Sequence, residues 1–111
     1  MVRLLFPGVG GTFTVTPSNT AAVSGDSVTL QCSSSLGSSA VFWQLQPAIT
    51  YIVEHCILLV NYTSLYAVDS STSGQCDLIV LGASEPLAGT YTCIDGLGPS
   101  GLVSAFLTVL G

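Results

Sequence analysis

Ser27-Val28-Thr29-Leu30-Gln31-Cys32-Ser33 alternates without a fault: Val28, Leu30 and Cys32 fall on one side of an extended chain, and Ser27, Thr29, Gln31 and Ser33 on the other. Successive side chains of a strand point to opposite faces, so this stretch predicts a strand with one face buried and one face wet. Working outward, short runs of the same kind recur between Gly, Ser, Asn and Pro, and no window holds a 3.6-residue period over three turns. Upstream, residues 12–16 and 21–23 read as a first strand broken at Pro17-Ser18-Asn19, an interruption that a sheet edge tolerates. Downstream, the serine-rich loop 33–39 leads into strand 41–46, which stops at Pro47 and turns Trp43 inward. Strands are expected at 50–53, 57–62 and 65–68, followed by a polar turn at 69–75, then at 77–81, 90–94 and 102–110. About nine strands emerge, with no internal repeat and no linker-like break, which is an all-β pattern.

Composition limits what such a domain can do. A chain of 111 residues holds one hydrophobic core, so residues 12–111 are expected to form a single domain. Residues 1–11 are expected to be a flexible leader, given Pro7, Gly8, Gly10 and Gly11, and the apolar part of Met1-Val2-Arg3-Leu4-Leu5-Phe6-Pro7 is too short for a signal peptide's hydrophobic region. Arg3 is the only cation against six acids, a formal charge of −5, which repels nucleic acid and anionic lipid headgroups. Mean hydropathy is +0.71, yet the longest apolar runs, 56–60 and 78–81, are strand-sized and far short of a membrane span. Four cysteines and the sequon Asn61-Tyr62-Thr63 point together to an oxidising, extracellular setting. The cysteines are too dispersed, and His55 too isolated, for a zinc site, and no cofactor motif is present.

Cys32, Trp43, Tyr91 and Cys93 together resemble the signature of the immunoglobulin superfamily, and Leu78-Ile79-Val80 through Ala88-Gly89-Thr90-Tyr91-Thr92-Cys93 is similar to its E-to-F segment. The resemblance covers residues 12–111. It implies a two-sheet sandwich, a Cys32–Cys93 disulfide joining strands B and F, Trp43 packed on its sulfurs, and the Tyr91 hydroxyl satisfying backbone at the E–F corner. Closing that loop is worth about 4 kcal/mol by chain entropy. The 34 residues between Trp43 and Leu78 leave room for strands C′, C″ and D, which implies the variable (V) type with strands A-B-C-C′-C″-D-E-F-G.

Leu107-Thr108-Val109-Leu110-Gly111 resembles the end of an antigen-receptor joining segment, so the chain looks like a germline-joined V–J domain of the kind found in invertebrate chordates. Three positions depart from that pattern. Leu87 stands where the family carries an acid and no arginine is placed to pair with it, so apolar contact is expected to replace the usual ion pair. Gly101-Leu102-Val103-Ser104 breaks the motif that carries the strand G bulge, and Pro47 follows Gln46 one residue early.

What the resemblance implies for function is binding. V-type topology puts Cys56 and Cys76 near the same end of the sandwich, so a second bridge is expected, the alternative being two free thiols with one open to intermolecular pairing. The sheet of strands G, F, C and C′, carrying Gln44 or Gln46, Tyr51, Val53 and strand G residues such as Leu102, is the surface through which family members pair. So charge-poor a chain should leave apolar area there, hence a homodimer, or a pair with another V domain, with Gln46 near the two-fold axis. The alternative is a monomer with hydrophobic outer strands. A protein or glycan ligand would meet the loops at one end, through Ser35, Leu36, His55, Asp95, Leu97 and Pro99, although the last loop is glycine-rich and offers little area. Asn61 would accept a glycan. No enzyme is expected: in Glu54-His55-Cys56 the neighbouring side chains point apart, and Cys56 is expected to be oxidised. Immune-type recognition with dimerisation is the favoured function, with an adhesion module acting by homophilic association as the alternative.

Overall fold

The computed structural model describes residues 12–46, 50–96 and 101–111, and the expected leader at 1–11 lies outside them. Eleven strands are present in this part of the chain: β1 (Phe13–Val15), β2 (Thr20–Val23), β3 (Val28–Leu30), β4 (Ser33–Ser34), β5 (Phe42–Gln46), β6 (Tyr51–Glu54), β7 (Ile57–Leu58), β8 (Tyr66–Asp69), β9 (Asp77–Val80), β10 (Gly89–Ile94) and β11 (Leu102–Leu110). They form a six-stranded sheet in the order β2-β11-β10-β5-β6-β7, a three-stranded sheet β3-β9-β8, and a small pair β1-β4. All pairings are antiparallel except β11 with β2.

The alternation read in the sequence is what fixes the layers. Val28, Leu30 and Cys32 are buried, while Ser27, Thr29 and Gln31 are exposed. From the other sheet Trp43, Tyr91, Cys93, Ala105 and Leu107 close the core. The break at Pro17-Ser18-Asn19 does more than interrupt a strand. It lets the first segment change partners, β1 pairing with β4 and β2 running parallel to β11. Strands β6, β7 and β8 occupy the stretch between Trp43 and Leu78, the three strands that V-type topology requires.

One expected strand is shortened. Residues 57–62 give only Ile57–Leu58, followed by a 3-10 turn at Val60–Tyr62, because the chain must leave the large sheet there to enter the small one at β8. The 3-10 turn closes with backbone bonds Tyr62 N to Leu59 O (2.9 Å) and Leu65 N to Tyr62 O (3.0 Å).

Both bridges are formed, Cys32–Cys93 through the core and Cys56–Cys76 near one end, and no described cysteine is free. Trp43 is fully buried and its indole N–H donates to Cys76 O at 2.9 Å, so the one polar atom of that side chain is satisfied. At the opposite end, Tyr91 donates its hydroxyl hydrogen to Leu87 O at 2.6 Å, the corner contact that the sequence implied.

Leu87 packs into the core where the family has its ion pair, and a polar contact that the sequence did not suggest stands beside it. Leu87 is buried and apolar, but Tyr66, at the start of β8, brings its hydroxyl within 2.8 Å of that of Tyr91. Since Tyr91 donates to Leu87, it accepts from Tyr66, and the result is a buried relay Tyr66 Oη to Tyr91 Oη to Leu87 O. Apolar contact alone would have left the Tyr66 hydroxyl without a partner, at a cost of about 1–3 kcal/mol. Burial raises both phenol pKa values above 10.0.

Candidate interaction face

The outward face of the six-stranded sheet is assembled from alternate residues of β5, β6, β10 and β11. Register sets them in cross-strand rows: Phe42, Ile94 and Leu102; then Gln44, Thr92 and Ser104, with Tyr51 beyond Gln44; then Gln46, Thr90 and Phe106. Phe106 is 58% exposed and Leu102 45%. The ring of Tyr51 lies 5.2 Å from that of Phe42, which also meets the His55 ring at 4.8 Å, so an aromatic cluster fills one corner. In the middle row, the Thr92 and Ser104 hydroxyls bond to each other at 2.9 Å, which leaves a satisfied and weakly polar surface.

The charge distribution is the feature that marks this face. Across all six strands of the sheet the only charged residue is Glu54. The other described acids lie elsewhere: Asp26 in a turn, Asp69 and Asp77 on the small sheet, Glu85 at the corner before β10, and Asp95 buried beyond the end of β10. Among the described residues no cavity is present.

The structure moves one expected contact residue off this face and covers another. Val53 is fully buried in the core. The pairs Trp43–Val53 and Gln44–Tyr51 leave Ile52 as an extra residue in β6, a bulge that sends Val53 to the side opposite Tyr51, and period-two counting therefore fails across it. Gln44 does point outward but is only 8% exposed, covered by its neighbours, and contributes little area. Gln46 and Leu102 are exposed and Tyr51 is half-buried. Phe106, Phe42 and Ile94 belong to the face and were not singled out. For Phe106 the signal was present, since alternation sets it opposite Ala105 and Leu107, but apolar residues on both sides hid which face was inside.

At the loop end, Ser35, Leu36 and His55 are exposed. Asp95 is not: it is 1% exposed, and its Oδ2 accepts hydrogen bonds from Thr12 Oγ1 and from Ser34 Oγ (3.1 Å). Two hydroxyls meet this buried carboxylate, so it ties the first strand to the β3–β5 connection. Leu97 and Pro99 lie outside the described residues. Asn61 is exposed on the 3-10 turn after β7. Cys56 is oxidised, so the pairing of His55 with a thiolate does not arise. Among the described residues no helix is long and apolar enough to cross a membrane.

No protein-family model matches the sequence, and no curated protein matches it. Solved structures do match in three dimensions. The RIG-5 IG1 homodimer aligns over 90% of this chain and 97% of its own with TM-score 0.78 at 19% identity. A chain of the complex of Dpr11 IG1 with DIP-gamma IG+IG2 aligns over 87% of this chain and 49% of its own with TM-score 0.76 at 19% identity. The ZIG-8 IG1 homodimer aligns over 92% and 90% with TM-score 0.69 at 16% identity. At such identities the likeness concerns the fold, and together with the strand order and the two bridges it establishes that this chain folds as an immunoglobulin-like sandwich with V-type strand topology.

Proposed function

We propose that this chain is an extracellular recognition domain that docks through the outer face of its six-stranded sheet, with a second copy of itself as the partner. The observation that carries this reading is a sheet with a single charged residue whose outer face presents an exposed Phe106 in one cross-strand row and Leu102, Ile94 and Phe42 in another, with only the uncharged Gln44, Thr92 and Ser104 between them. A chain of charge −5 repels its own copies wherever acids face one another, and this is the surface from which acids are almost absent. Two of the structurally similar domains, from RIG-5 and ZIG-8, are homodimers, and a third similar chain belongs to the complex of Dpr11 IG1 with DIP-gamma, so the fold supports protein partners of both kinds. Two disulfides and an exposed sequon at Asn61 support an extracellular, glycosylated domain. The joining-segment likeness of residues 107–111 supports an antigen-receptor-like V–J domain. β11 pairs with β10 in unbroken register from Leu102 to Leu107, so such a domain would pair without the strand G bulge of antibodies.

Sedimentation of the 11.4 kDa chain at micromolar concentration tests the proposal. Dimer mass is expected for the wild type and monomer mass for Phe106→Glu, whose exposed position leaves the core intact. A wild-type monomer across the whole range would sink the homophilic reading, and a heterophilic partner would then be the better account of the face.

A further inference from the structure

We propose that the Cys56–Cys76 bridge is a brace that holds a strained turn, and through it the aromatic corner of the docking face. This rests on the reading of that face as the docking surface. Glu54 pairs with Ile57, so only His55 and Cys56 connect β6 to β7. Both adopt left-handed backbone, with φ of 54° and 57°. A two-residue hairpin of this hand is ordinarily built from Asn-Gly, because side chains bearing a Cβ are disfavoured at positive φ. Here neither residue is glycine, and a strained conformation persists only where the surroundings fix it.

The surroundings do fix it. Cys56 N donates to Val41 O at 2.8 Å, His55 Nδ1 donates to Ser39 O at 2.9 Å, and the His55 ring rests against Phe42. The disulfide then joins Cys56 to Cys76, whose backbone is anchored in the core on both sides: its N–H donates to Cys32 O at 2.8 Å and its carbonyl accepts from the Trp43 indole. The bridge thus runs from the strained turn to a fully buried, fully bonded point of the sandwich. What the turn positions is the end of β6 with its bulge, hence Tyr51, Phe42 and Glu54, the corner where the Phe42, Tyr51 and His55 rings cluster beside the sheet's one charge.

Two variants that both lack the bridge separate a brace from a general staple. Glycine accepts φ near 57° without penalty and alanine does not, so Cys56→Gly/Cys76→Ala should keep the turn where Cys56→Ala/Cys76→Ala loses it. Hydrogen exchange at residues 51–58 reads the turn directly, and sedimentation reads docking. The alanine pair is expected to exchange faster in that segment alone and to dimerise about tenfold more weakly. The glycine pair is expected to recover most of both properties, the reverse of the usual order in which alanine is the more stable residue. Equal exchange in the bridged chain and the alanine pair overturns the brace, as does a glycine pair no better than the alanine pair. Should the alanine pair fail to fold, the glycine pair decides alone: wild-type exchange at 51–58 supports the brace and unfolding overturns it. A wild type that never dimerises overturns the docking half, whatever exchange shows for the turn.

Discussion

Removing the two hydroxyls of the Tyr66–Tyr91–Leu87 relay one at a time and then together should give a result that simple addition cannot. Tyr66→Phe deletes the first donor, leaving Tyr91 still donating to Leu87 O, so the loss is one net hydrogen bond, about 1 kcal/mol. Tyr91→Phe strands two groups, the Tyr66 hydroxyl without an acceptor and Leu87 O without a donor, both buried, at about 3 kcal/mol together. In the double variant only Leu87 O is left unpaired, at about 2 kcal/mol. The second substitution is therefore expected to restore about 1 kcal/mol to Tyr91→Phe instead of costing another, a coupling of about 2 kcal/mol. Urea unfolding followed by the fluorescence of Trp43, the single tryptophan, measures all three variants, and additivity within about 0.5 kcal/mol would refute the relay. An alkaline titration gives an independent check. Burial raises both phenols, so the fold favours their protonated forms. Their contribution is complete below pH 10, where the unfolded chain's phenols are also protonated. It is lost as pH rises above that, at up to about 1.4 kcal/mol per pH unit for each phenol. The double variant should lack this part of the slope, and a wild-type profile no steeper than its own would count against the assignment.

Three further outcomes follow from particular contacts. Gly74 has φ +79°, and a Cβ there would lie 2.5 Å from the backbone oxygen of Ser34, so Gly74→Ala should cost more than about 2 kcal/mol in urea unfolding, and a neutral result would contradict the close approach. The Asp77 carboxylate accepts from Cys32 N at 3.0 Å and Gln75 Nε2 at 2.7 Å; Asp77→Ala should cost about 2 kcal/mol by stranding the buried amide, and Asp77→Asn, which keeps an acceptor, clearly less. Equal losses for the two would show that the amide is satisfied in another way. Expression in a host that attaches N-glycans should give a mass that an amidase reduces, and Asn61→Gln should abolish that difference; an unmodified wild type would show the sequon to be unused.

The alternation of residues 27–33, the spacing of Cys32, Trp43, Tyr91 and Cys93, and the length between Trp43 and Leu78 determined the sandwich, its inward residues and its extra strands. Each is a local or pairwise pattern, and a strand reports its buried face through period two wherever it runs unbroken. The poverty of charge was equally plain in the composition, and with it the expectation of an apolar sheet. Tertiary structure alone decided what depends on insertion or on distant partners. One extra residue, Ile52, reverses the phase of β6 and buries Val53, and no propensity marks the bulge. Asp95 turns inward because Thr12 and Ser34, remote in sequence, bring hydroxyls to it. Tyr66 meets Tyr91 because β8 and β10 both begin at the same corner of the sandwich. His55 and Cys56 tolerate left-handed backbone because a bridge to Cys76 and bonds to Ser39 and Val41 hold them there. A strand's facing is written in its own few residues, whereas the satisfaction of a buried polar group or a strained turn is written in whatever the fold brings beside it.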